Sequence, residues 1–105
     1  MSGTKRDPQP ANQEEALPSI DFATFILSLS HSALMHMGDA PLPDGESIEK
    51  NLPLARQTID LIGLLEEKTK GNLSGDEERV LTQVLYDLRM RFVEHAKHEQ
   101  TRQGR

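Results

Sequence analysis

Residues 68–77, KTKGNLSGDE, decide the fold because they end one helix and begin the next within a few positions. The two lysines place cations in the last turn of a helix, where they suit the negative end of its dipole, and Gly71 supplies the left-handed residue that commonly follows a helix. Ser74 and Glu77 have the spacing of a capping box, which begins a new helix. The segment therefore predicts two consecutive helices joined by a tight turn, an antiparallel hairpin.

The segment before this turn predicts a helix over about 52–70, with Asn51 as its N-cap and Pro53 in its first turn. Its apolar residues and one threonine cover well over half of the helix circumference, which is too wide a surface for a helix that packs on a single neighbour. We therefore expect this helix to be central. The residues of this surface are Leu54, Ala55, Thr58, Ile59, Leu61, Ile62, Leu64 and Leu65.

The segment after the turn predicts a third helix over about 75–97 with two apolar faces. Tyr86, Met90 and Val93 form a separate stripe that lies roughly opposite the main face and needs a partner to cover it. The main face consists of Val80, Leu81, Val84, Leu85, Leu88, Phe92 and Ala96.

A first helix is predicted over about 20–37, with Ser19 or Asp21 as its N-cap and Gly38 at its end. A link containing two prolines follows, and it turns the chain so that this helix folds back onto the hairpin. Two leucines, Leu27 and Leu34, lie about 140° and 120° from Phe22 around the helix axis, off the main apolar stripe. We therefore add them to the candidate self-association surface. The main stripe consists of Phe22, Phe25, Ile26, Leu29, Ala33 and Met37.

The chain has 105 residues and a net charge of −5, which is the size of one small domain. We expect an all-α, three-helix domain over 19–98, a disordered arm over 1–18 that contains three of the six prolines, and a flexible basic tail over 99–105. A core with few aromatic residues is thin, so burial between copies would add stability, and we expect a homo-oligomer.

Cysteine is absent, which excludes disulfides, thiolate metal sites and a cysteine nucleophile and favours a reducing cytoplasm. No apolar run approaches the length of a membrane span, and the first residues lack the apolar stretch of a signal peptide. The sequence therefore predicts a cytoplasmic protein that does not contact a membrane.

The order of these segments resembles the bacterial family known as domain of unknown function 1844. The likeness covers about residues 20–93 and is carried by DFATFILSL from Asp21, by the link after Met37, by the segment that begins at Asn51, by EKTKGNLS from Glu67 and by LYDLRMRFV from Leu85. Asn51 and Ser74 stand where the family favours Asp and Thr, and both keep an oxygen that can cap a helix. The resemblance implies a cytoplasmic helical protein with no assigned activity.

Catalytic and metal-binding patterns are weak. His31 and His36 lie about 140° apart on a helix, so they cannot bind the same metal ion. His95 and His98 fall in the last turns, where we expect solvated side chains. No nucleophile elbow and no pair of carboxylates in opposed environments is present. We therefore expect no metal, no cofactor and no enzymatic activity.

Two function classes remain. The first is a non-enzymatic protein–protein interaction module that binds itself, with another protein as a further candidate partner, through Leu27, Leu34, Tyr86, Met90 and Val93. The second is a nucleic-acid-binding or ribosome-associated regulatory factor. It would use the turn of residues 68–74, in which Lys68, Lys70 and Asn72 form a candidate docking site, together with Arg89, Arg91 and the basic C-terminal end. Residues 89–105 carry a net charge of +3, but residues 19–88 carry −7, which makes nucleic acid the less favoured partner.

Overall fold

The computed structural model describes residues 20–41 and 49–103, and these form three α-helices that pack against one another pairwise. The helices are α1 (Phe22–Met37), α2 (Leu52–Lys68) and α3 (Gly75–Gln103), and no strand occurs in these two ranges. The predicted all-α, three-helix fold is confirmed. The predicted disordered arm, 1–18, lies outside the described residues.

Local capping contacts explain where the helices begin. Asp21 accepts a hydrogen bond from the amide of Thr24 at 2.8 Å, which lowers the pKa of Asp21 below its usual value, and Asn51 accepts one from the amide of Leu54 at 3.0 Å. At α3 the predicted capping box is present. The amide of Ser74 donates to Glu77 Oε1 at 2.8 Å and the amide of Glu77 donates to Ser74 Oγ at 3.2 Å.

The helix ends differ from the sequence prediction at two places. Thr69, rather than Gly71, caps α2, because both its amide and its hydroxyl donate to the carbonyl of Leu65. Gly71 has a φ of 87° and turns the chain toward α3. The third helix continues to Gln103 instead of ending near 97, since residues 98–103 contain neither glycine nor proline.

The core lies where the three helices meet. Each helix contributes residues from one face, at spacings of three and four. The second helix is apolar over a wider surface, and its flanking leucines remain exposed. The buried core residues are Ile26, Ala33 and Met37 of α1, Ala55, Ile59 and Ile62 of α2, and Leu81, Leu85 and Leu88 of α3.

Replacing Ser74 with alanine tests the capping box. We expect Ser74→Ala to lower the free energy of unfolding by about 1 kcal/mol, because the orphaned amide of Glu77 loses its acceptor. Ser74→Thr keeps the oxygen and is expected to stay close to the original protein. The measurement is urea unfolding followed by circular dichroism, and equal losses in both variants would contradict this role for the hydroxyl.

Candidate interaction surface

Tyr86, Met90 and Val93 form an exposed apolar stripe on α3. Their exposed fractions are 69%, 52% and 50%, and they follow each other at spacings of four and three, so they share one side of the helix. The buried residues of α3, which include Leu85 and Leu88, lie on a different side. We call these three residues the α3 stripe.

A groove of about 250 Å³ between α2 and α3 adjoins the α3 stripe, and Val93 belongs to both. Apolar side chains from each helix and an exposed ion pair surround it. In this ion pair Arg56 Nε lies 3.9 Å from Asp60 Oδ2, and the Asp60 side chain is 71% exposed. The position of Asp60 on a helix rich in leucine and isoleucine predicts partial burial, which is wrong, because Asp60 points away from the face of α2 that buries Ile59 and Ile62. The groove is lined by Arg56, Ile59, Asp60, Arg89, Phe92 and Val93.

The two leucines predicted on α1 have different environments. Leu27 is exposed, but it lies on α1, which contributes no residue to the groove. Leu34 is only partly exposed and packs against the core, so its assignment to a free surface is corrected. The physical reason is that α1 contacts both α2 and α3, and a helix with two neighbours buries its flank as well as its central face.

The residues of the predicted docking site lie in and beside the turn between α2 and α3. The amide of Asn72 donates to the carbonyl of Thr69 at 2.9 Å, and Thr69 caps α2. Lys68 is in the last turn of α2 and is exposed. Lys70 lines a groove of about 440 Å³ whose other charged residues are the glutamates Glu66, Glu67 and Glu78. Acidic surroundings disfavour an anionic ligand at this predicted docking site.

A network of charged side chains ties the link between α1 and α2 to α3. Asp39 Oδ2 accepts from Arg91 Nη1 at 3.1 Å, and Asp39 Oδ1 lies 3.0 Å from His95 Nε2. Lys50 Nζ lies 3.1 Å from His95 Nδ1. Because an ammonium group only donates, Nδ1 accepts from Lys50 and the ring proton sits on Nε2, directed at Asp39.

No sequence pattern points to this network. The sequence position of His95 predicts a solvated ring, whereas its side chain is 17% exposed and held by Asp39. These two residues are 56 positions apart, so no local spacing connects them. Arg91 also donates to Asp87, and the hydrogen bonds to Asp87 and then to Asp39 raise the pKa of Arg91 above its ordinary value. The guanidinium of Arg91 is therefore already paired with carboxylates of its own chain.

Replacing Asp39 with asparagine tests the network. We expect Asp39→Asn to lower the free energy of unfolding by about 1 kcal/mol, because it removes the charge that Arg91 and His95 both contact. Asp60→Asn is the matched control, since the pair between Arg56 and Asp60 is exposed and is expected to contribute less than about 0.5 kcal/mol. Equal effects in urea unfolding would contradict a structural role for the network.

Residues 20–41 and 49–103 hold no cluster of three histidine or acidic residues that is placed to bind a metal ion. None of the three helices has the length and apolar character needed to cross a membrane.

Comparison with known families identifies the family of this chain. The family model described as "Domain of unknown function (DUF1844)" matches residues 19–94, which is most of the chain. The chain belongs to this family. The DUF1844 match spans α1, α2 and most of α3, so it includes the α3 stripe and most of the charged network. No curated protein and no solved structure matches the chain.

Proposed function

We propose that this DUF1844 protein is a non-enzymatic interaction module that acts in the cytoplasm and binds a second copy of itself through the α3 stripe. The observation that carries the proposal is the exposure of Tyr86, Met90 and Val93 at helical spacing on one side of α3. Tyrosine and methionine are enriched at protein interfaces, and a contiguous apolar stripe on a small domain marks an interaction site. The absence of cysteine supports the cytoplasmic assignment.

Charge favours a second copy over a partner of uniform charge. The α3 stripe is flanked by the cation of Arg89 and by the anion of Glu94, both exposed. A surface that carries both signs is able to complement itself, as a symmetric dimer requires. A strongly acidic or strongly basic partner would meet one repulsive flank.

Nucleic-acid binding receives less support from the structure. Of the cations assigned to it, Arg91 is paired with Asp39 and Asp87, and Lys70 stands among glutamates. This alternative predicts retardation of RNA or DNA at low salt and a steep loss of affinity as salt increases. We expect no retardation of RNA or DNA. Retardation that weakens steeply with salt would favour the nucleic-acid alternative.

Replacing Met90 with glutamate tests the proposed function. A charge at the centre of the α3 stripe cannot be buried without a partner, so we expect Met90→Glu, alone or with Val93→Glu, to reduce the molar mass to 11.8 kDa. Helicity by circular dichroism is expected to stay unchanged, because the side chain is exposed in the single chain.

The matched control is Leu61→Glu, which places the same charge on an exposed leucine of α2 outside the stripe. We expect this variant to keep the mass of the original protein in light scattering. An oligomer that survives Met90→Glu, or that is lost equally in Leu61→Glu, would refute the assignment of the interface to the α3 stripe.

A further inference from the structure

Arg89 and Glu94 lack partners within the described part of the chain. Both are exposed, and neither makes a hydrogen bond or an ion pair with any residue in 20–41 or 49–101. The other arginines with described side chains all have acidic partners, which are Asp60 for Arg56, Asp76 for Arg79, and both Asp39 and Asp87 for Arg91. Arg89 is thus the exception among them, and it lies beside an apolar stripe.

The guanidinium of Arg89 lies over Gly63 of α2. A Cβ atom placed on Gly63 would come within 3.1 Å of Arg89 Nη2, so the missing side chain makes room for the guanidinium. Arg89 also lines the groove that includes Phe92 and Val93. The guanidinium has five N–H donors, and although Asp60 lines the same groove, no carboxylate in the described part of the chain accepts a hydrogen bond from it.

The positions of the two charges fit a helix pair. At 100° per residue, Arg89 lies about 70° to one side of the mean direction of the α3 stripe and Glu94 about 70° to the other. When Tyr86, Met90 and Val93 occupy heptad positions d, a and d, Arg89 is at position g and Glu94 is at the following position e.

The separation of these charges favours one orientation. In a parallel pair of helices, position g faces position e of the partner five residues further along, and Arg89 and Glu94 are five residues apart. Two-fold symmetry then makes the contact twice. In an antiparallel pair, positions of the same kind meet, which would bring Arg89 to Arg89 of the second copy and Glu94 to Asp87 of the second copy. Like charges would face each other in both places.

We propose that two copies of this chain associate through their α3 helices in parallel, with Arg89 of each copy bound to Glu94 of the other. The inference rests on the proposed function, to which it adds the parallel orientation and the two charged contacts. The α3 stripe spans only two helical turns, so the dimer interface is small and we expect the association to be reversible. The charges determine the orientation of the two helices more than the affinity of the dimer.

Charge reversal tests the pairing. We expect Arg89→Glu and Glu94→Arg each to weaken dimerisation roughly tenfold, because two attractive contacts become repulsive. The double variant Arg89→Glu/Glu94→Arg restores both attractions and is expected to associate within about threefold of the original protein. Antiparallel pairing predicts a different pattern, with no change for Arg89→Glu and tighter association for Glu94→Arg, and that pattern would overturn the proposal.

Cysteine cross-linking provides a second readout of orientation, and the natural chain contains no competing thiol. Gln83 and Lys97 are exposed and extend the a positions of the stripe in both directions. Parallel pairing brings each next to its own counterpart, so Gln83→Cys alone is expected to oxidise to a covalent dimer. Cross-linking only in a mixture of Gln83→Cys with Lys97→Cys would overturn the parallel orientation.

The two proposals fail in distinguishable ways. If the original protein is a dimer that Met90→Glu dissociates, but the reversed charges have no effect, the interface stands and the Arg89–Glu94 pairing is refuted. If the original protein is a monomer at every concentration, the proposed function and the parallel pairing are both refuted.

Discussion

Leu88→Ala is expected to lower the free energy of unfolding by about 2–5 kcal/mol, which exceeds the loss that we expect from any surface substitution. Leu88 has no exposed surface and lies in the core formed by all three helices. Removing its branched end loses the contacts of the buried methyl groups and leaves a cavity, because the surrounding helices relax only in part. For a small domain this is a large fraction of the total stability.

The matched control is Leu64→Ala, which removes the same atoms from a side chain that is about half exposed. We expect this variant to lose less than about 1 kcal/mol, since little apolar surface leaves a buried environment. Both are measured by urea unfolding at one protein concentration, because the stability of a self-associating protein depends on concentration. Equal losses would mean that α3 does not pack as described.

Gly38→Ala is expected to have the second-largest effect, a loss of about 2 kcal/mol. Gly38 ends α1 with a φ of 83°, a left-handed conformation that costs a residue with a Cβ about 1–2 kcal/mol. The added methyl group would also lie 3.2 Å from Lys50 Cγ. Lys50 contacts His95, so the methyl group would disturb the network that joins the link to α3.

Gly71→Ala separates the cost of the left-handed backbone from the cost of crowding against Lys50. Gly71 has nearly the same φ, 87°, but nothing lies within 4 Å of the position that a Cβ would occupy. We expect it to lose about 1 kcal/mol from the strained backbone alone. Thermal or urea unfolding of the two variants gives the difference, and a larger loss for Gly71→Ala would contradict the crowding assigned to Gly38.

Much of the fold could be predicted from the sequence because its main signals are local. The caps formed by Asp21, Asn51 and Ser74 depend on residues three positions apart, and all three contacts are present. The exposed α3 stripe could also be predicted, since helical geometry alone separates Tyr86, Met90 and Val93 from the buried face.

The remaining features depend on how the helices pack. Leu34 is partly buried because α1 packs against both other helices. The spacing of apolar residues within α1 does not show how many neighbours the helix has. Asp39 meets His95 across 56 residues, and this pairing exists only once α1 and α3 lie side by side. Asp60 is exposed because the other helices cover a different face of α2, the one that carries Ile59 and Ile62. Each of these outcomes required the three-dimensional arrangement.

Self-association through the α3 stripe is the central claim, and the molar mass in solution tests it most directly. Light scattering at physiological salt over a range of concentrations measures this mass without any variant. We expect the mass to rise with concentration from 11.8 kDa toward twice that value. A mass of 11.8 kDa at every concentration would contradict self-association and leave the α3 stripe open to a different protein.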